Sequence, residues 1–189
     1  TAAGGLAIEP VRNRWLRGAT AVTGGARSTY ALCGDGTVWA WGDNSYGQLG
    51  IGSTSPRHWP VRIRGLRDVV QVAAGEDAAY ALTADGAVWA WGNGRYGQLG
   101  NGESGFGTRS TVPVRVQVGG PVEQIAAGSY AAYALRADTG QVEAWGNGGV
   151  GQMGDATTAE FSPRPLPGNY LSGFGDTGDL SNRFTIDGW

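Results

Sequence analysis

The apolar residues of this chain come in short runs closed by glycine. Val69-Val70-Gln71-Val72-Ala73-Ala74 stops at Gly75, Ala79-Tyr80-Ala81-Leu82-Thr83 follows, and beyond Ala84-Asp85-Gly86 stands Ala87-Val88-Trp89-Ala90-Trp91. Two β-prone runs split by Asp-Gly predict a hairpin, because both residues tolerate the positive φ of a tight turn. The same turn is predicted at Asp35-Gly36. The stretch from Gly42 to Gly50 is too rich in glycine for a helix and predicts a structured loop, with Asn and Gly in left-handed conformations. Pro56 and Pro60 then lead into a further predicted strand from Val61 to Leu66. About four short strands arise per unit, the content of one propeller blade.

The pattern repeats. Val38-Trp39-Ala40-Trp41-Gly42-Asp43-Asn44-Ser45-Tyr46-Gly47-Gln48-Leu49-Gly50 is written again from Val88 to Gly100 and, more loosely, from Val142 to Gly154. The second tryptophan of each phrase stands at Trp41, Trp91 and Trp145. Pro10-Val11-Arg12, Pro60-Val61-Arg62 and Pro113-Val114-Arg115 keep the same order, and one residue is inserted at the turn Asp138-Thr139-Gly140. Self-similarity at about fifty residues is the mark of a repeat protein. The chain therefore divides into a lead-in (1–9), three repeats (10–154) and a degenerate partial fourth repeat or tail (155–189). The fourth is expected to begin at Ser162-Pro163, similar to Ser55-Pro56, and to end inside a hairpin at Phe184-Thr185-Ile186-Asp187-Gly188-Trp189. An open arc leaves apolar faces and strand edges uncovered, so the expectation is a piece of a longer polypeptide or a ring completed by a second copy.

Composition narrows the function classes. Glycine supplies 35 of 189 residues with no collagen-like triplet, as turns recurring with the repeat require. The net charge is −2, and residues 1–70 carry a basic excess that residues 71–189 reverse. A nucleic-acid binder shows a larger basic face, so no nucleic-acid partner is expected. No apolar run reaches the ~20 residues of a membrane-spanning helix, and no membrane partner is expected either. The single Cys33 excludes an intrachain disulfide framework and leaves the compartment, secreted or cytoplasmic, open.

Motifs for cofactors fail on context. Gly92-Asn93-Gly94-Arg95-Tyr96-Gly97 and Gly146-Asn147-Gly148-Gly149-Val150-Gly151 spell a dinucleotide fingerprint, but Gln-Leu-Gly or Gln-Met-Gly follows instead of a helix to face a pyrophosphate. A lysine-dependent phosphate loop is impossible because all 14 basic residues are Arg. His58 is the one histidine, read as an exposed loop residue between Pro56 and Pro60, so no histidine pair offers a zinc site. Asp176 and Asp179 are too few for calcium and read as turn residues. No cofactor, metal or catalytic residue is expected.

The phrase Trp-Gly-x-Asn-x-x-Gly-Gln-Leu-Gly resembles the repeat of the regulator of chromosome condensation family over residues 10–154, with a style closest to secreted or bacterial members. The resemblance implies an all-β fold, a β-propeller, of which this chain would be an arc of three full blades and a partial fourth. It also implies a range of functions, among them exchange on a small GTPase, light sensing and enzyme inhibition. Family repeats often carry His-Thr before the tyrosine strand, whereas this chain has Arg27-Ser28-Thr29, Asp77-Ala78-Ala79 and Tyr130-Ala131-Ala132. Guanine nucleotide exchange on a small GTPase is therefore kept only as a third reading, less favoured than the two below, and light sensing has no support, because the photoreceptor's tryptophan motif is missing at the same positions.

Function has to be argued from a site. Two classes stand: a non-catalytic protein-binding module, serving as inhibitor or scaffold, and an enzyme or small-ligand site in the propeller channel. The first is favoured, because no acid, base or nucleophile repeats with a supporting partner. Since each Asp-Gly turn joins two antiparallel strands at one end, the loops flanking the hairpin meet at the other. That places Arg27, Asn44, Tyr46, Glu76, Asp77, Asn93, Arg95, Tyr96, Tyr130 and Asn147 on one face, the expected contact surface for another protein. In the inhibitor members of the family the corresponding loops carry aromatic contacts to the target.

Overall fold

The computed structural model describes residues 16–154 and 161–167. Twelve strands among them form three four-stranded antiparallel sheets, each following chain order. The first blade holds β1 (Ala19–Gly24), β2 (Ser28–Cys33), β3 (Val38–Gly42) and β4 (Arg57–Arg62). The second holds β5 (Val69–Ala74), β6 (Ala78–Thr83), β7 (Val88–Asn93) and β8 (Arg109–Arg115). The third holds β9 (Val122–Ala127), β10 (Ala131–Arg136), β11 (Val142–Asn147) and β12 (Phe161–Pro167). The protein is an all-β propeller arc.

The hairpins form where the Asp-Gly pairs predict them, with a different turn. Only the glycines take a left-handed backbone, Gly36 at φ 74° and Gly86 at φ 79°. The aspartates act through their side chains. Asp35 Oδ1 accepts from the Thr37 hydroxyl at 2.6 Å and the Thr37 amide at 3.1 Å, and Asp85 Oδ1 accepts from the Thr83 hydroxyl at 2.6 Å. These bonds hold both exposed carboxyls below their ordinary pKa, the hydroxyl contact first. This is the longer hairpin in which a turn is followed by one left-handed glycine.

The apolar core lies between blades. One cluster joins Tyr30, Leu32, Val38 and Leu49 of the first blade to Ala79, Ala81 and Trp91 of the second. The other joins Tyr80, Leu82, Val88 and Leu99 to Ala132, Ala134 and Trp145. The repeated phrase locks each seam. The Gln48 carbonyl accepts from the Tyr30 hydroxyl at 2.6 Å and from Trp91 Nε1 of the next blade at 2.7 Å. The Gln98 carbonyl repeats this with Tyr80 and Trp145, both at 2.9 Å. Gly100 (φ 60°) must be glycine here, because a Cβ would stand 2.9 Å from Trp145 Nε1. Between the first strands of the second and third blades, the Gln71 side-chain amide bridges β5 to β9, donating to the Ile125 carbonyl at 2.8 Å and accepting from the Ile125 amide at 2.9 Å.

Three expectations need correction. The strand expected from Val61 to Leu66 is β4, Arg57–Arg62, and it pairs with β3. The motif that opens each sequence unit thus closes the preceding blade, so unit and blade are out of phase by one strand. Ser162-Pro163, expected to open a fourth unit, belongs to β12 and pairs with β11 of the third blade. His58 is exposed within β4 and is not a loop residue. The expected hairpin at 184–189, the lead-in 1–9, Asp176 and Asp179 lie outside the described residues.

Candidate docking face

At the end of each blade away from the Asp-Gly turn, the loop before the second strand and the loop after the third are joined by one backbone hydrogen bond. The amides of Asp43, Asn93 and Asn147 donate to the carbonyls of Arg27, Asp77 and Tyr130 at 2.8, 2.9 and 2.9 Å. The approach depends on the preceding glycine. At Gly92 (φ 100°) a Cβ would collide with the Asp77 carbonyl oxygen.

These bonds bring most of the expected face together. Tyr46, Asp77, Asn93, Arg95, Tyr96 and Tyr130 line one cleft of about 380 Å³. Tyr46 is 44% exposed, and its backbone is fixed by its amide donating to Gln48 Oε1 at 2.9 Å. The Tyr96 amide is held likewise by Gln98 Oε1 at 2.7 Å, and its ring meets Tyr130 edge to face at 5.5 Å. Arg95 lays its guanidinium 5.4 Å from the Tyr96 ring centre and 5.6 Å from that of Phe106. Asn147 lies beside Gly149, Phe161 and Phe106 in an adjoining cleft that shares Arg95 and Tyr96.

The charges are unevenly met. Burial pushes the half-buried Asp77 carboxyl above its ordinary pKa, and the Glu76 and Asp43 charges push the same way. Arg27, whose side chain is exposed, and a hydrogen bond to Asn93 pull it back. Glu76 hydrogen-bonds the Tyr130 hydroxyl, which with burial pushes that phenol up to about 12.

Asn44 does not belong to the face. It is fully buried, donates to the Ser53 and Ser55 carbonyls at 2.8 and 3.0 Å, and accepts from the Leu49 amide at 2.9 Å. A side-chain amide offers donor and acceptor together, which suits it to satisfying loop backbone. Its backbone is not left-handed; Gly42, Gly47 and Gly50 take that role. The residue aligned with Asn93 and Asn147 is Asp43, which the sequence reading passed over.

Phe106, Thr108 and Arg109 also line the cleft and were not expected there. Phe106 and Thr108 come from a loop three residues longer than its counterpart in the first blade, and Arg109 opens β8 at the end of that loop. The signal was present in the spacing: Pro113 follows Pro60 by 53 residues, against 50 between Pro10 and Pro60. The extra residues raise Phe106, 94% exposed, between Gly105 (φ 111°) and Gly107 (φ 88°). The Gly105 amide ties the loop to the Arg95 carbonyl at 2.8 Å.

A profile of the regulator of chromosome condensation (RCC1) repeat matches residues 35–82 and 85–135, and a second RCC1-repeat profile matches residues 19–48 and 69–98. The chain belongs to the RCC1 repeat family. Human WBSCR16 is similar in structure, with a TM-score of 0.70 and 28% identity over 79% of this chain and 37% of that one. Prp20p from Saccharomyces cerevisiae, described with its binding properties to Gsp1p and histones, gives a TM-score of 0.73 and 23% identity. That match covers 83% of this chain and 40% of Prp20p. Yeast RCC1 (Prp20) bound to Kap60 gives 0.74 and 23%, over 83% of this chain and 38% of that one. The chain thus spans well under half the length of the solved relatives it matches. Among curated proteins compared by sequence, none matches significantly.

Proposed function

We propose that this chain is a non-catalytic protein-docking module, acting as an inhibitor or a scaffold through the face that carries Tyr46, Asp77, Arg95, Tyr96, Phe106 and Tyr130. The observation that carries this reading is Phe106. A large apolar ring is held out in solvent on a tethered loop, beside three tyrosines and an arginine. Tyr, Trp and Arg dominate binding hot spots, and a buried aromatic anchor ringed by near-neutral contacts is the usual energetic centre of an interface. The protein partners named for Prp20p agree with a protein ligand as a class.

The reading is tested on a partner captured with the intact chain. Phe106→Ser and Tyr96→Ala are expected to weaken the complex by about 2 kcal/mol or more each, measured by calorimetry. Substitutions at Asp35 and Asp85, on the opposite end of the blades, should leave affinity unchanged. The reverse pattern would place the interface on the hairpin-turn end and refute the proposal.

A further inference from the structure

Charge is not shared evenly between the two clefts of the docking face. In the first, Asp77 is the only carboxylate on the lining, against Arg95 and Arg109. Asp77 is already served, by the charge of Arg27 and a hydrogen bond to Asn93. The acids around it are served too. Glu76 is bonded to the Tyr130 hydroxyl, Asp43 accepts from the Ser45 hydroxyl at 2.7 Å, and Glu103 accepts from Asn101 Nδ2 at 3.2 Å. None of them pairs with Arg95 or Arg109, since the ion pairs among the described residues are those of Arg136 with Asp138 and Glu143.

The second cleft, of about 520 Å³, has no acid on its lining. Its walls are the rings of Tyr96, Phe106 and Phe161, and Arg95 is its one charged residue. Arg95 lies over the Tyr96 and Phe106 rings, and its guanidinium donates no hydrogen bond among the described residues. Contact with ring faces uses the flat side of a guanidinium and leaves its edge N–H groups for a planar acceptor. A second donor stands on the same lining. Asn147 Oδ1 accepts from the Gly149 amide at 2.9 Å and from Gln152 Nε2 at 3.4 Å, while Nδ2 donates to nothing among the described residues.

Unused donors between apolar rings select the guest by elimination. A basic side chain would set its charge against Arg95 with no carboxylate on the lining to offset it. A purely apolar one would cover the Arg95 and Asn147 donors and leave them unsatisfied, which costs more than the contact returns. A carboxylate accepts from both, and its two oxygens match the guanidinium fork.

We infer that the second cleft receives an aspartate or glutamate side chain of the protein partner, with Arg95 as its counter-ion, Asn147 as a second donor and Tyr96, Phe106 and Phe161 as apolar walls around the pair. This rests on the docking face proposed above and assigns its ligand chemistry.

The probe is a library of short disulfide-closed peptides displayed on phage and selected on the intact chain. Selected peptides are expected to share an aspartate or glutamate at one fixed position. Replacing that residue with its amide should weaken binding about tenfold, the loss of one charge-assisted bond, and so should Arg95→Gln. Because Arg95 also stacks on Phe106, the two changes are combined. The Arg95→Gln chain should bind the acidic peptide and its amide within about twofold of each other, a coupling that a merely structural role for Arg95 would not produce. Phe106→Ser, at an exposed position, reports separately on the face. Peptides that lose binding with Phe106→Ser but carry a basic or apolar residue at the fixed position, or that keep their preference for the acid on the Arg95→Gln chain, would overturn the carboxylate assignment while leaving the docking face standing. Failure to select any peptide sensitive to either substitution would overturn both.

Discussion

The two halves of the long loop after each third strand behave differently. In the second blade, Gly97-Gln98-Leu99-Gly100 is buried throughout, with its carbonyl and Cα surfaces fitted against Tyr80 and Trp145. A few residues away, Arg95, Phe106 and Arg109 are exposed. The buried half reads nearly the same in all three repeats, while the exposed half differs in every one: Ser45-Tyr46, Arg95-Tyr96, Gly149-Val150. Within this molecule, what repeats builds seams between blades and what fails to repeat builds the surface. The phrase that makes the family recognisable is therefore the part least informative about the partner.

The contrast is broken most severely at the seam. Trp91 is fully buried, packs edge to face on Tyr30 at 6.2 Å and donates to the Gln48 carbonyl. Trp91→Ala empties that volume and strips the carbonyl of one donor, an expected loss of about 4 kcal/mol. Chemical denaturation should show it as a lower midpoint, and a change below ~1 kcal/mol would mean that the blades do not depend on this seam.

Gly100→Ala is the next largest. It forces a left-handed backbone on a side chain whose Cβ meets the Trp145 ring at 2.9 to 3.0 Å. Strain and overpacking together should cost about 2 kcal/mol. Gly140→Ala supplies the control, since its φ is similar at 67° but nothing lies within 4 Å of the added Cβ. The difference between the two variants reads the crowding at Gly100, against the Trp145 ring across the seam and Val116 Cγ1 at 2.7 Å.

Gln71→Ala removes both bonds to the Ile125 backbone while leaving a half-exposed site that water can enter. The expected cost is about 1.5 kcal/mol, read as a drop in melting temperature and faster exchange of the Ile125 amide. An unchanged Ile125 exchange rate would show that the Gln71 bridge contributes nothing between β5 and β9.

These seams also explain which features were legible in the sequence. The hairpins at Asp35-Gly36 and Asp85-Gly86 are local, set by a few adjacent residues, and their places could be read directly. The phase of the blade could not. A repeat has no privileged starting point, and whether Pro60-Val61-Arg62 opens one sheet or closes the previous one is decided by pairing with β3, a contact across the loop. The candidate face was legible as topology, since antiparallel pairing brings the flanking loops of each hairpin to one end. Asn44 was misplaced because an asparagine looks polar from outside and satisfies backbone groups from inside equally well. Phe106 was missed because it belongs to no repeated position.

The smallest expected effect falls on the exposed half, at Asp77. Its folded-state pKa is raised, mainly by burial and then by the Glu76 and Asp43 charges. A carboxyl whose pKa is raised on folding binds its proton more tightly in the folded state, so the folded protein is favoured at low pH and loses that advantage as pH rises through the folded value. At neutral pH the ionised Asp77 is therefore a small liability, and Asp77→Asn should raise the melting temperature slightly. Below the ordinary aspartate value of about 3.9, where Asp77 is protonated in both states, the gain should vanish. Melting temperatures of the two proteins across that range check the sign, and a variant less stable than the parent at neutral pH would show that Asp77 is already paired by Arg27.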